Sequence, residues 1–583
     1  MSKSYDYLNR LTQISSAPTA SSSLTFTYPY NSAGQRYRAI INSDQPTSYW
    51  QYQYDSLGQL VSGKKAWWGG GVIPGQQFEY GFDTIGNRKY ARSGGDVNGA
   101  NLRQSDYTAN ALNQYSSRTV PGYVDVLGEA TNAATVTVNK QATTRQGDYY
   151  RAELTVGNSS PVWQGITNIA VLNQGSNPDL IATNLGNVLV PQTPESFTYD
   201  DDGNLTSDSL WTNVWNGENR RVTVESRSTV PTGGKAREEW THLPDGRWIE
   251  RIVSTNNGSG YVAAFTNRFV WDGNVLLAVL NHTNGLELAF MRGLDLSGTL
   301  QGAGGVGGLL AVHDSSTLNY QPSTHFAGYD GNGNVVLLAN AADGKESARY
   351  EYGPFAEPLR VSGVMGKANP IRFSTQYADD VTGDVKYLYR DYRADTGRWP
   401  NRDPLGEPGF ETLRRGISFV TGDGPNLYAF TGNNPVCRYD YLGLKCPRLR
   451  PDFFTNPPGF FDPVCSCKEI AALDYQNDWY HLFNLYDSTI HRLQQAYDAC
   501  QDLACRIVVG HRANLVSRTF LLEENHLRTT TLADKLIKCC GTRTMDDIPI
   551  RFVDPLPELK TDGPYPQTPP APPPPPRRPP RRR

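Results

Sequence analysis

The stretch Tyr54-Asp55-Ser56-Leu57-Gly58-Gln59-Leu60 places an aromatic residue before Asp, then two variable residues, then Gly. Asp at the first position of a type I turn accepts a hydrogen bond from the backbone two residues on, and Gly at the fourth position tolerates a positive φ. Flanking aromatic and β-branched residues are typical of strands. The stretch therefore predicts a tight antiparallel hairpin.

The same unit recurs along the chain. Its first five markers are separated by 25, 24, 28 and 27 residues (31−6, 55−31, 83−55, 110−83). A single Asp-x-x-Gly is common in turns, but copies with aromatic lead-ins at nearly regular steps indicate a repeat protein. The Asp and Asn markers are Asp6, Asn31, Asp55, Asp83, Asn110, Asp200 and Asp330.

The composition agrees with a β-rich chain that has many turns. Its 583 residues include 33 Tyr, 55 Gly and 39 Pro. Tyr favours pleated, half-buried surfaces, whereas Gly and Pro favour turns. A formal net charge of −3, a hydrophobic fraction of 38% and a mean hydropathy of −0.52 argue against an integral membrane protein and against binding of nucleic acid through overall charge.

These units resemble YD repeats, and residues 325–444 resemble the core segment of bacterial Rhs (rearrangement hotspot) proteins. The resemblance is loose over residues 5–324 and tight from residue 325. It implies a mainly β fold, in which a ribbon of YD-repeat hairpins spirals into a complete or incomplete shell around a variable C-terminal payload. The stretches that carry it are His325-Phe-Ala-Gly-Tyr-Asp-Gly-Asn-Gly-Asn334, Ala348-Arg-Tyr-Glu-Tyr-Gly-Pro-Phe355, Tyr387-Leu-Tyr-Arg-Asp-Tyr392, Thr396-Gly-Arg-Trp399, Arg402-Asp-Pro-Leu-Gly406, Asn426-Leu-Tyr428, Gly432-Asn-Asn-Pro435 and Asp440-Tyr-Leu-Gly-Leu444.

The chain divides into five expected segments. Alternation at period two over Ala134–Val138 and Arg151–Val156 indicates an inserted β module, which is compatible with carbohydrate binding or with a sandwich that only fills a gap in the ribbon. The segments are YD-repeat hairpins over 1–120, the inserted β module over 121–195, further repeats and the Rhs-like core over 196–444, a small α-helical Cys-rich domain over 445–560 and a disordered Pro/Arg-rich tail over 561–583.

The Rhs resemblance also implies self-cleavage at the end of the core. Carried over by motif, the catalytic residues are Asp403 and Asp440, with Arg402 beside the first, and the cut falls between Leu444 and Lys445. Two neighbouring carboxylates do not both ionise, so one stays protonated as an acid while the other activates water.

Two readings of these aspartates stay open. Asp-Pro-x-Gly and Asp-x-x-Gly are also ordinary turns. The last motif has Tyr441 where the family usually has Pro, and residues 407–423 look like an insertion that either loops out or displaces a strand. A catalytic pair survives only in the first case.

The sequence after Leu444 differs from the ribbon. It holds seven of the eight Cys, and apolar residues near period 3.6 from Leu473 to Ala504 predict a helix. Disulfides, a zinc site and free thiols all remain open for these cysteines. A nuclease-like cluster or a solvated helix surface is compatible with His511, Asn514, Glu523, Glu524 and His526.

No cofactor is expected from the sequence. The Gly-rich run Gly302–Gly308 lacks the Lys-Ser/Thr ending of a phosphate-binding loop, and we expect a flexible or close-packed turn there. Only the five Arg at the end of the tail offer a contact for nucleic acid or an anionic membrane.

Two functions from different classes remain. The first is an Rhs-type polymorphic toxin, which implies an immunity protein and a secretion or delivery apparatus as partners. The alternative is a non-enzymatic adhesion scaffold that contacts carbohydrate or a cell surface. Because the chain opens without an apolar signal region, we expect export by a signal-less route, a cell-surface location, or a fragment of a longer exported protein.

Overall fold

The computed structural model describes residues 1–42, 47–315, 322–404, 426–440 and 442–443. In these residues regular structure consists of β-strands and short 3-10 turns, with no α-helix, and every strand pair is antiparallel. The expected ribbon of mainly β, antiparallel hairpins is therefore confirmed. The helical domain and the tail predicted after residue 444 lie outside the described residues.

The first sheet begins at the N-terminus and adds its strands in chain order. Each strand is joined to the next by a hairpin, so neighbours in the chain are also neighbours in the sheet. Its first ten strands are β1 (Ser2–Tyr5), β2 (Leu11–Ser16), β3 (Leu24–Thr27), β4 (Arg38–Ile41), β5 (Ser48–Tyr54), β6 (Leu60–Trp67), β7 (Val72–Phe82), β8 (Arg88–Gly94), β9 (Leu102–Ala109) and β10 (Tyr115–Arg118).

The next strands leave this sheet and form two small sheets, ordered β11-β15-β14 and β13-β12-β16-β17. They are β11 (Tyr123–Glu129), β12 (Thr135–Val138), β13 (Gln141–Ala142), β14 (Thr144–Gln146), β15 (Tyr149–Thr155), β16 (Val162–Gln174) and β17 (Asn177–Val190). The chain then returns, because β18 (Glu195–Ser196) pairs with β10. We call residues 119–194 the module.

A second large sheet follows, again in chain order. Its strands are β19 (Thr198–Tyr199), β20 (Leu205–Ser207), β21 (Trp211–Trp215), β22 (Arg221–Ser226), β23 (Ala236–His242), β24 (Trp248–Asn256), β25 (Tyr261–Asp272), β26 (Val275–Leu280), β27 (Leu286–Arg292), β28 (Leu309–Asp314), β29 (Ser323–Tyr329), β30 (Val335–Asn340), β31 (Glu346–Tyr352) and β32 (Pro358–Ser362). We call the two large sheets together the ribbon.

The repeat turn is well shown at Asp55. Its Oδ1 accepts hydrogen bonds from the backbone N–H of Leu57 and of Gln59, both at 2.9 Å, while Gly58 N–H donates to the Asp55 carbonyl at 3.1 Å. Gly58 has φ +78°, as the predicted turn requires. All seven predicted markers accept the N–H four residues on, and so do three further markers that sequence reasoning did not single out: Asp96, Asn216 and Asn281.

The two ribbon sheets share one apolar core. Trp50 and Leu60 of the first sheet and Trp248 and Leu338 of the second belong to the same buried cluster. Aromatic side chains dominate it, and the rings of Trp248 and Phe269 meet edge to face at 4.5 Å. Alternation along each hairpin strand directs one set of side chains to this core.

We call residues 363–443 the terminal segment, and its described residues contain little regular structure. Three short strands form a separate sheet, β33 (Tyr377–Ala378), β34 (Asp384–Lys386) and β35 (Asp391–Arg393). Around them lies a second aromatic cluster, in which the rings of Tyr392 and Phe430 stack at 3.9 Å. This segment contains the aspartates predicted to be catalytic.

Candidate functional site

A fully buried arginine, Arg390, lies at the centre of the site. It belongs to the aromatic run Tyr387–Tyr392, and its guanidinium lies over the Trp399 ring at 4.1 Å. A buried cation needs compensating charge and hydrogen bonds, because the interior solvates it poorly. The groups that compensate Arg390 therefore define the site.

Both predicted aspartates meet this guanidinium. Arg390 Nη2 lies 2.7 Å from Asp403 Oδ2 and 3.7 Å from Asp440 Oδ2, and both carboxylates are buried. Asp403 and Asp440 come together although residues 407–423 separate them in the chain; that stretch itself lies outside the described residues.

The chain just before the predicted cut is held against the same arginine. Arg390 Nε donates a hydrogen bond to the Gly443 carbonyl, and Tyr389 N–H donates to the Leu442 carbonyl at 3.1 Å. Asp440 Oδ1 accepts the N–H of Leu442 at 3.2 Å and of Gly443 at 2.8 Å. The Asp440 carboxylate thus has two roles: one oxygen accepts the N–H groups of the turn that follows it, and the other lies near Arg390. Leu444 and Lys445 lie outside the described residues.

Arg402 has a different set of neighbours. It is half-buried and hydrogen-bonds the Tyr428 phenol, whose O–H donates to the Gly203 carbonyl at 2.8 Å. Gly203 is the glycine of a repeat turn, with φ +84°. Arg402, the residue before Asp403, therefore contacts the ribbon through Tyr428.

Sequence reasoning named the motif that contains Arg390 but not its role. The available signal was a cation inside a run of aromatic residues, at 387–392. Such a cation is buried wherever the aromatic residues are, and it then needs an acidic partner. Asp403 and Asp440 lie 13 and 50 residues after Arg390, and nothing in the sequence indicated that they were its partners.

The terminal segment is positioned by hydrogen bonds to the repeat turns. Asn433 Nδ2 donates to Gln59 Oε1 and to the Gly86 carbonyl, and Asn434 Nδ2 donates to the Gly58 carbonyl, at 2.8–2.9 Å. Further hydrogen bonds of this kind run from Asn426 to Asn87 Oδ1, from Thr375 to the Gly333 carbonyl and from Asn401 to the Asn219 carbonyl. The ribbon therefore holds the segment that carries Arg390 and its aspartates.

Buried ion pairs add to this attachment. Arg251 Nη2 of β24 lies 2.5 Å from Asp379 and also pairs with Glu238, while Arg221 Nη2 of β22 lies 2.7 Å from Asp384. Burial raises the pKa of Glu238 to about 8 and that of Asp384 to about 6. These pairs hold the terminal segment on the ribbon at the expense of desolvating several charges.

The Gly-rich run Gly302–Gly308 is a close-packed turn. Asp295 Oδ2 accepts the N–H of Ala303 at 2.7 Å and of Gly305 at 3.1 Å. A carboxylate of the chain thus occupies the position in which a phosphate-binding loop would bind its anion.

The described residues contain no group of three or more His, Cys, Asp and Glu that could hold a metal ion. A helix long and apolar enough to cross a bilayer is likewise missing from them. Of the eight cysteines, only Cys437 is described, with its Sγ 3.2 Å from the Tyr54 hydroxyl. The other predicted cysteine and histidine clusters lie beyond residue 444, outside the described residues.

No family model matches the chain. Several curated relatives do, among them two nucleases and two toxins. The tRNA3(Ser)-specific nuclease WapA of Bacillus spizizenii is 26% identical over 276 residues, which is 47% of this chain and 10% of WapA. The double-stranded DNA deaminase toxin A of Burkholderia cenocepacia is 26% identical over 302 residues, 50% of this chain and 20% of the relative.

The third relative is the toxin protein Tse5 of Pseudomonas aeruginosa, 39% identical over 80 residues, 14% of this chain and 5% of Tse5. The chain is related to bacterial toxins. It spans no more than a fifth of the length of these relatives. Among solved structures, the crystal structure of TcdB2-TccC3-Cdc42 matches 76% of this chain and 20% of its own, with 17% identity and a TM-score of 0.34.

Proposed function

We propose that this chain is part of an Rhs-type polymorphic toxin, in which the YD-repeat ribbon and terminal segment present a C-terminal payload over 445–560. Cleavage by the chain itself between Leu444 and Lys445 releases that payload. The observation that carries the proposal is the convergence of Asp403, Asp440 and the Gly443 carbonyl on Arg390, immediately before the proposed cut.

The geometry fits a hydrolysis shared between two carboxylates. In such a reaction one carboxyl group acts as the base and the other as the acid. We assign Asp403, the closer to Arg390, as the base and Asp440 as the acid. Asp403 takes a proton from a water that attacks the Leu444 carbonyl carbon, and Asp440 gives its proton to the Lys445 nitrogen as the C–N bond breaks. The products are a Leu444 carboxylate and a free amine at Lys445.

Arg390 acts as a positioning residue in this scheme. Its Nε holds the Gly443 carbonyl, which fixes the chain one residue before the attacked carbonyl, while its Nη2 orients Asp403. A hydrolytic step gains rate when the reacting groups are held in place before the reaction.

The relatives support a variable payload. Their names give different activities, a tRNA nuclease and a double-stranded DNA deaminase, although each aligns with about half of this chain at similar identity. We therefore assign no activity to residues 445–560. A toxin also implies an immunity protein and a delivery apparatus, and we propose both as partners.

The test is a denaturing gel with intact-mass measurement of the purified full chain. We expect fragments of about 49 and 15 kDa, from 64.6 kDa divided after residue 444 of 583. Asp403→Asn and Asp440→Asn are expected to stay whole, and Arg390→Lys to be cut slowly. Asp245→Asn, at an exposed ribbon turn, is the matched control and should be cut like the parent. An uncut parent that is folded would contradict the proposed cleavage.

The alternative, an adhesion scaffold, is favoured by a separate observation. The module and the ribbon enclose a cleft whose lining chemistry suits a neutral ligand, and this cleft has no connection with the Arg390 site.

A further inference from the structure

A cleft with a volume of about 590 Å³ lies between the module and the ribbon. One wall comes from β11, a second from the long hairpin β16–β17, and a third from the β7, β8 and β32 region of the ribbon. The ion pair between Arg360 of β32 and Glu129 of β11 ties two of these walls together. Ligand sites commonly fall in this range of volume and at junctions between structural units.

The hairpin wall of the cleft is rich in amides. Asn168 and Asn184 face one another as a cross-strand pair of β16 and β17, and Asn187 lines the cleft nearby. The Asn168 Oδ1 atom is buried and has no hydrogen-bond partner in the described part of the chain. A buried acceptor without a partner costs stability, and a donor from a ligand in the cleft would supply the missing partner.

A glycine in the same wall leaves room for such a ligand. Gly186 lies within β17, opposite Ile166, and a Cβ built on it would meet no atom within 4 Å. Its φ lies outside the left-handed region, so backbone conformation does not require glycine here. Glycine inside a strand often marks a place where a ligand approaches the backbone closely.

The charges of the lining are already engaged. Asp125 accepts a hydrogen bond from Arg151 Nε at 2.6 Å, and Glu357 accepts those of the Phe355 N–H at 2.7 Å and the Tyr80 hydroxyl at 3.0 Å. None of the described residues that line the cleft is Lys, Arg or His. An anionic ligand would therefore find acids but no cation among the lining residues, which disfavours acidic polymers and phosphates as its occupant.

We infer that this cleft binds a neutral saccharide. Carboxamides donate and accept at once, as sugar hydroxyls do, and Asn168 and Asn184 supply two of them, side by side on one face of the hairpin. Tyr123, half-buried on the wall formed by β11, provides aromatic surface for the C–H face of a sugar ring. The inference stands on the module and does not depend on the proposed self-cleavage.

The test uses the full chain, labelled on amines, on a microarray that carries neutral and acidic glycans. We expect binding to a set of neutral glycans. Gly186→Val fills the open space and should weaken the apparent affinity about tenfold or more. Ala182→Val, four residues before Gly186 on the same strand and outside the cleft lining, is the matched control and should bind like the parent.

A second variant separates binding from folding. Asn168→Leu removes a buried acceptor that has no partner, so we expect an unchanged or higher melting temperature together with lost glycan binding. Binding of no neutral glycan by the parent, binding of acidic glycans alone, or equal binding by Gly186→Val would each overturn the inference. Gly186-dependent capture of extended peptides, with no glycan bound, would assign the cleft to peptide instead.

Discussion

The ribbon and the terminal segment satisfy their polar groups over different distances in the chain. At the repeat turn of Asp55, the partners lie two and four residues away. In the terminal segment Arg390 pairs with Asp440, Asp379 pairs with Arg251, and Asn433 bonds Gln59. Local partners form wherever the turn sequence occurs, whereas distant partners form only when the whole ribbon is in place.

The largest expected effect comes from a buried charge between the two regions. Arg251→Leu leaves Glu238 and Asp379 buried without their cation, and we expect a loss of about 3–5 kcal/mol in the free energy of unfolding. Urea denaturation of the full chain measures it. Arg237→Leu, on the neighbouring strand, breaks half-exposed pairs with Glu225 and Glu239 and should cost less than about 1 kcal/mol. Equal losses in both variants would show that burial does not distinguish the two sites.

A smaller effect is expected from pH, because two buried groups at this contact titrate with opposite signs. Burial raises the pKa of Asp384 to about 6, so its contribution favours folding at low pH and is lost as pH rises through about 6. Burial lowers the pKa of His242 to about 4, so its contribution is present above the ordinary histidine value of 6.5 and is lost as pH falls toward 4.

The measurement is urea denaturation between about pH 4.5 and 7.5, and each shift is worth on the order of 2 kcal/mol over this range. Asp384→Asn should make stability rise more steeply with pH than in the parent, and His242→Gln should make it rise less or fall. Asp245→Asn, at an exposed turn, should follow the parent. Slopes that change in the same direction in Asp384→Asn and His242→Gln would contradict these assignments.

The smallest effect is expected from replacing a glycine that has the same backbone conformation in the ribbon and in the terminal segment. Gly58 in a repeat turn and Gly443 beside Arg390 each have φ +78°, so an Ala at either position costs about 1 kcal/mol. A Cβ at Gly443 would also lie 3.2 Å from Arg390 N and 3.0 Å from Tyr387 Cβ. Thermal unfolding should therefore show a loss for Gly443→Ala at least as large as that for Gly58→Ala. Only the second should slow the proposed cleavage in a time course, and equal slowing would argue against a specific role for the Gly443 backbone.

The features that could be predicted from the sequence are those that depend on residues close together in the chain. The markers and glycines of the turns specify hairpins, and the strands of the ribbon follow from them, as the turn at Asp55 shows. For Gly302–Gly308 the sequence predicted either a flexible or a close-packed turn, since the motif lacked the residues of a phosphate-binding loop, and the structure has the close-packed one. Asp295, which accepts its amides, was not identified, because it lies outside the run.

The site was predicted in part. The resemblance placed Asp403 and Asp440 at the end of the core, and both lie at Arg390, but their roles stay predictions. Arg390 itself, the ion pairs of Arg251 and Arg221, and the amides of the cleft were missed. Each depends on partners in other elements, and a single sequence does not show which distant strands meet.

The hydrogen bonds from the terminal segment to the repeat turns also have a kinetic consequence. Asn433 and Gln59 are 374 residues apart, and contacts of such high sequence separation form late, since the intervening chain must first be ordered. During synthesis the turns at Gly58 and Gly86 leave the ribosome long before Asn433 does. The Arg390 site is therefore completed after the ribbon, so that any reaction at this site follows folding instead of competing with it.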